Sequence, residues 1–111
     1  MVLGPKTEVT LQRLTETSAG GTWSETWTDV ETISQAVNRP FSENERLLYG
    51  RDVVVNMRKL YIGYSDIAST SRQYLTPKSR IQIDSTNYDI ESAELFTGPG
   101  KHYRVILRKV T

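Results

Sequence analysis

His102 is the one histidine of the chain, and cysteine is absent. Chemistry that needs a nucleophile–base pair or a thiolate metal site therefore has almost no material. His102 stands between Lys101 and Tyr103, directly after Gly98-Pro99-Gly100. An exposed residue at a strand end is a simpler reading of it than a general base. No His pair, no His-Glu-x-x-His spacing, no glycine-rich phosphate loop and no Gly-x-Ser-x-Gly elbow occurs. The thirteen acidic residues are scattered, mostly on outward strand phases. The expectation is a protein that is not an enzyme and holds neither metal nor cofactor.

Two groups of cations remain. Lys101, Arg104, Arg108 and Lys109 run along the C-terminal stretch with no acid among them, and Arg72, Lys78 and Arg80 flank a polar segment. They are either solvated strand faces, with Lys and Arg guarding a sheet edge, or an interface toward protein or DNA. Ile106, outward between Arg104 and Arg108, favours a protein interface. Trp23 and Trp27 fit core or inter-subunit packing better than base stacking. A single-strand binder sets several aromatics in a basic groove, and the net charge here is only +1.

These residues must be positioned by strands. Residues 76–95 hold the clearest signal: Ile81 and Ile83 alternate with Arg80, Gln82 and Asp84, and Tyr88 and Ile90 alternate with Asp89 and Glu91. Asp84-Ser85-Thr86-Asn87 between them favours a turn. A four-residue loop sets Ile83 opposite Tyr88 and Ile81 opposite Ile90, all on one buried face. Residues 7–15 read as a first strand, with Val9 and Leu11 inward. Gly20-Gly21 turns the chain, since paired glycines supply positive φ. Residues 23–37 read as a second strand in which Trp23 and Trp27 share a face, and the irregular spacing of Ile33, Ala36 and Val37 predicts a bulge.

Ser42 with Glu45 three residues on forms a capping box, Phe41 supplies a staple and Gly50 a stop, so a short helix is predicted over 42–50. A helix of two turns is marginal without packing. Residues 52–64 read as a long strand whose phase switches near Arg58-Lys59, predicting either a second bulge or a strand whose ends serve two faces of a closed barrel. Residues 65–78 are polar and aperiodic, which predicts a long loop of functional character. A third phase break falls between Ile90 and Ala93. Residues 101–110 form the last strand, with Tyr103, Val105 and Leu107 inward. The sum is an all-β chain: a small six-stranded antiparallel β-barrel with one short helix and a long polar loop.

The length, 111 residues, suits one domain over 1–111, with 1–6 as a flexible N-terminal arm. A chain this size buries roughly two-thirds of its unfolded surface. Its low hydrophobic fraction of 37% suits half-buried β surface, or a core completed by partners. No signal stretch and no run of about 18 apolar residues occurs, so the expectation is a soluble protein made in the cytoplasm, without a membrane partner.

The order of elements now carries a resemblance. A first strand ends in Leu11-Gln12-Arg13, a Gly-rich turn leads to a Trp-containing strand, and a polar helix opens with Ser42-Glu43-Asn44-Glu45. A strand reads Lys59-Leu60-Tyr61-Ile62-Gly63-Tyr64, then come Thr76-Pro77-Lys78-Ser79-Arg80-Ile81-Gln82-Ile83 and Asn87-Tyr88-Asp89-Ile90. Over 8–110 this resembles the head-tail joining proteins of tailed bacteriophages, also called stopper, head-closure or head-completion proteins. The family's usual Arg-Tyr pair is Gly63-Tyr64 here, so that arginine's role has no counterpart.

The resemblance implies a β-barrel that assembles with itself into a ring, typically of twelve, at the neck of the virion. Its implied partners are the portal and adaptor proteins of the head, a tail terminator or tail tube protein, and the packaged double-stranded DNA, held without sequence preference. It also implies that residues 39–51 project toward the channel. Arg39, Phe41, Ser42, Glu43, Glu45, Arg46, Leu47, Leu48, Tyr49 and Arg51 are then the channel or gating candidates. Trp23, Trp27, Arg72, Tyr74, Lys78, Arg80, Arg104, Ile106 and Arg108 are the candidates for contacts between subunits or rings. The alternatives are a tail terminator or other neck ring, or a small β-barrel that binds nucleic acid.

Overall fold

The structure is a computed structural model and describes residues 6–40 and 56–110. Among the described residues six strands, β1 (Thr7–Ala19), β2 (Thr22–Pro40), β3 (Met57–Gly63), β4 (Ser79–Ile83), β5 (Thr86–Phe96) and β6 (His102–Lys109), pair in the order β1-β2-β3-β6-β5-β4. Every pairing is antiparallel, and β1 pairs with β4 to close the barrel. The six-stranded barrel expected from the strand pattern is thus what forms. The helix predicted over 42–50, the N-terminal arm before Lys6 and the first part of the 52–64 strand lie outside the described residues.

Alternation decides what fills the interior. Val9 and Leu11 of β1, Ile33 and Ala36 of β2, Leu60 and Ile62 of β3, Ile81 and Ile83 of β4, Ile90 of β5, and Val105 and Leu107 of β6 form one buried cluster. Each such aliphatic side chain contributes about 1.5–3 kcal/mol by leaving water. Closure demands local adjustment, and β2 supplies two extra residues against β1, between Asp29 and Glu31 and between Ile33 and Ala36. β5 supplies one against β6, at Glu91. The bulges expected near Ile33–Val37 and after Ile90 are therefore present. Near Arg58-Lys59 no bulge forms, for β3 pairs with β6 without a break from Met57 to Gly63, and the other expectation, a strand serving two faces, fits the pattern of burial. Met57 and Leu60 are both buried because Met57 is covered on the outer face, where sequence phase alone implies exposure.

The hairpin of β4 and β5 corrects a second expectation. Its turn has two residues, Asp84 and Ser85, both at positive φ (49° and 66°), and Ile83 faces Thr86 while Ile81 faces Tyr88. Such a turn matches the right-handed twist of the flanking strands, which outweighs the strain of a left-handed Asp and Ser. The buried face is retained, with Ser79, Ile81 and Ile83 all inside.

The polar segment between β3 and β4 is no structureless loop. It folds into two 3-10 turns, Tyr64–Asp66 and Arg72–Tyr74, and sends Ile67 and Leu75 into the central cluster. It therefore plugs one end of the barrel. Ser71 is 5% exposed, and the bonds Ser71 N to Ala68 O and Tyr74 N to Ser71 O pair these backbone groups within the segment.

At the plugged rim the first hairpin continues beyond the wall. β1 pairs with β4 only over Thr10–Arg13 and β2 with β3 only over Val37–Pro40. From Leu14↔Trp27 to Ala19↔Thr22 the two strands pair with each other alone. Five steps of about 3.4 Å carry this arm about 17 Å outward. The molecule's extents of 51 × 33 × 23 Å reflect it.

Candidate functional site

Strand directions gather three features at one rim: the arm, the plug, and the turn between Phe96 and His102. The opposite rim carries the Asp84-Ser85 turn, the beginning of β1 and the end of β6.

The plug is held by aromatic and cationic groups. Arg72 stacks its guanidinium 3.5 Å from the Tyr64 ring centroid and donates from Nη2 to the Tyr64 carbonyl at 2.6 Å. The Lys101 ammonium lies 3.7 Å from the same ring, and Tyr64 stacks on Tyr103 at 6.0 Å. Ala68 N donates to Glu31 Oε1 at 3.1 Å. Tyr74 accepts from Arg13 Nη1 through its hydroxyl at 3.0 Å, which ties the plug to the root of the arm. Between that root (Arg13, Thr28, Val30) and the plug (Thr70, Ser71, Gln73, Tyr74) lies an open groove of about 320 Å³. Its lining, completed by Asp29, is mostly polar and holds neither His nor Cys.

A second network clips the arm from outside. Gln12, 7% exposed, donates to Asp29 Oδ1 at 2.7 Å and accepts from Arg80 Nε at 2.7 Å. Arg80 in turn lies 4.2 Å over the Trp27 ring.

These contacts sort the candidate interface residues. Arg72, Tyr74 and Arg80 are half-buried and engaged within the protomer. Arg104 pairs with Glu94 at 3.2 Å and Arg108 with Glu91 at 2.6 Å, so the basic stripe of β6 is matched by acids on β5. Nor is β6 an edge, since it pairs with β3 and β5; edge protection is therefore not its role. Ile106 is half-buried between Lys59 and Ser92. Trp27 is half-buried under Arg80, whereas Trp23 is 72% exposed and is no core residue. Lys78 is exposed. Of the channel candidates, Arg39 lies next to the end of β2, exposed, opposite Lys59; Phe41, Ser42, Glu43, Glu45, Arg46, Leu47, Leu48, Tyr49 and Arg51 lie outside the described residues.

Sequence reasoning missed a surface on the outer wall near the same rim. Phe96 stacks on His102 with centroids 5.1 Å apart, Tyr61 lies 5.9 Å from His102, and Arg104 is 5.1 Å from the Phe96 centroid. His102 Nδ1 is within 2.7 Å of the Gly100 carbonyl, which fixes the ring. Among the described residues no group of three His, Cys, Asp or Glu is placed to hold a metal ion. The arrangement offers shape, stacked rings and charge.

No protein-family model matches the chain, and no curated protein matches it. Solved structures do. Protein SF1141 of Shigella flexneri 2a, known from its solution structure, superimposes with a TM-score of 0.69 at 21% identity, covering 93% of this chain and 90% of that one. A chain of the virion of the native gene transfer agent particle superimposes with a TM-score of 0.59 at 12% identity, covering 97% of this chain and 98% of that one. At these identities the likeness establishes a shared fold.

Proposed function

We propose that this chain is a structural subunit of a phage-like virion. In this reading it forms a ring at the neck that closes the DNA-filled head below the portal and adaptor and offers the docking surface for the tail. The observation that carries the reading is the end-to-end likeness of the barrel, arm included, to a chain of a virion particle. The resemblance of the sequence to head-tail joining proteins supports it, as does a rim that offers contact surfaces where an enzyme would hold a catalytic group. Such a subunit acts through shape and repeated contacts between identical copies. Arg39 and the segment that follows it are the channel-facing part, with Leu47 and Leu48 proposed to contact the next ring or the DNA path.

Deleting the gene from the genome that encodes it and imaging the lysate tests this. Tailless heads that lose DNA, beside complete free tails, are the expected result; normal virions would overturn the reading. Replacing Leu47 and Leu48 by Asp is expected to leave the barrel folded and to reduce the yield of infectious particles, and wild-type infectivity would remove the channel role.

A further inference from the structure

The arm's outward face continues the outer wall. On it Trp23 and Trp27 flank Glu25, and Glu16 lies directly across from Glu25. Like charges opposed in a ladder are unfavourable, and neither glutamate has a partner among the described residues. Both flank an indole that is 72% exposed. On β5 and β6 the outer wall carries stacked Phe96 and His102, with Phe96 38% exposed, Arg104 beside them with its charge matched by Glu94, and Lys101, exposed and without an acid partner among the described residues, in the adjoining turn. In the barrel order a single strand separates the β1-β2 pair from the β6-β5 pair either way round, β3 on one side and β4 on the other. The two patches therefore sit on opposite sides of the molecule, near one rim.

We propose that the arm of one copy docks on the β5–β6 rim of a second copy. Trp23 lies against the Phe96–His102 stack, and the Glu16–Glu25 pair faces Lys101. Charge and apolar surface are complementary, and the patches cannot meet within one protomer. Opposite placement makes the contact head-to-tail, so each copy both gives an arm and receives one, and the series closes into a ring when its rotation divides a full turn. The inference rests on the chain being an assembly subunit, and on nothing else about the virion.

Because the chain lacks cysteine, two thiols can be placed at will. Ser18→Cys lies across from Trp23 on the arm, and Gly98→Cys lies in the β5–β6 turn, where an added Cβ meets nothing within 4 Å. Oxidation of the concentrated full chain carrying both is expected to give a ladder of dimers, trimers and higher species on a denaturing gel. Each single variant gives dimers at most. A double variant that yields only the dimers of Ser18→Cys alone, or stays monomeric at the highest soluble concentration, would overturn the proposal.

Charge reversal supplies the second measurement. Glu25→Lys is expected to weaken self-association at least about tenfold, and Lys101→Glu in the same chain to recover most of it, each variant being compared at a temperature where its monomer is fully folded. Failure of that recovery also overturns the pairing. A ladder combined with normal virions after gene deletion removes the neck role and leaves the contact standing, while absence of the ladder alongside tailless heads does the reverse.

Discussion

Arg80 and Trp27 meet across a strand that separates them. Arg80 belongs to β4 and Trp27 to β2, with β1 between, yet the guanidinium lies 4.2 Å over the indole. Its Nε also donates to Gln12, so one side chain joins three neighbouring strands where the arm leaves the wall. Replacing Arg80 by Ala should therefore lower unfolding free energy by about 1–2 kcal/mol and speed amide exchange in the arm ahead of the barrel. Arg80→Lys should restore little of it, because an ammonium cannot form the flat stack and the Nε bond together. Urea denaturation with exchange mass spectrometry reads both.

The plug offers a test of local against global stability. Arg72→Ala removes the stack on Tyr64 and the bond to its carbonyl. Exchange over residues 64–78 is expected to rise by about an order of magnitude while the strands keep their protection, since loops open below the global unfolding free energy.

Burial and surface pairing should separate cleanly. Ile67→Ala or Leu75→Ala, each in the central cluster, is expected to cost about 2–4 kcal/mol. Arg108→Ala, which breaks the 2.6 Å pair with Glu91 at side chains 46% and 42% exposed, should cost under about 1 kcal/mol. Chemical denaturation ranks them, and equal effects would contradict the assignment of the segment as a plug.

At the Asp84-Ser85 turn the double change Asp84→Asn, Ser85→Gly suits the positive φ at both positions and should stabilise the barrel by about 0.5–1 kcal/mol. Ser85→Val should shift the melting temperature in the opposite direction, because a β-branched side chain is strained there.

Strand identity was legible because alternation at Val9/Leu11, Ile81/Ile83 and Val105/Leu107 depends only on which face is buried. The bulges near Ile33–Ala36 and at Glu91 were legible for the same reason, as breaks in that alternation. The plug was not: Ile67 and Leu75 are isolated apolar residues in a polar stretch, and 3-10 turns impose no period long enough to see. The turn was misplaced because Asp-Ser lacks the glycine that marks a two-residue hairpin, and its left-handed geometry is enforced by the strands on either side. At the site, Trp23, Trp27, Arg72, Arg80 and Arg104 could be named from composition, but their partners could not. Arg80 with Gln12, or Arg104 with Glu94, follows from strand register around a closed wall, which no local window contains.

The four pairs that join β1 to β4, from Thr10↔Gln82 to Arg13↔Ser79, lie at the base of the arm, follow one another along its axis and stand perpendicular to it. A pull along the arm therefore strains these rungs together, in shear, instead of peeling them one after another. The same wall resists a sideways tug far less, because there the rungs part in sequence. The arm is thus stiff in tension and compliant in bending, a tether that can swing to find its seat and still transmit force once seated.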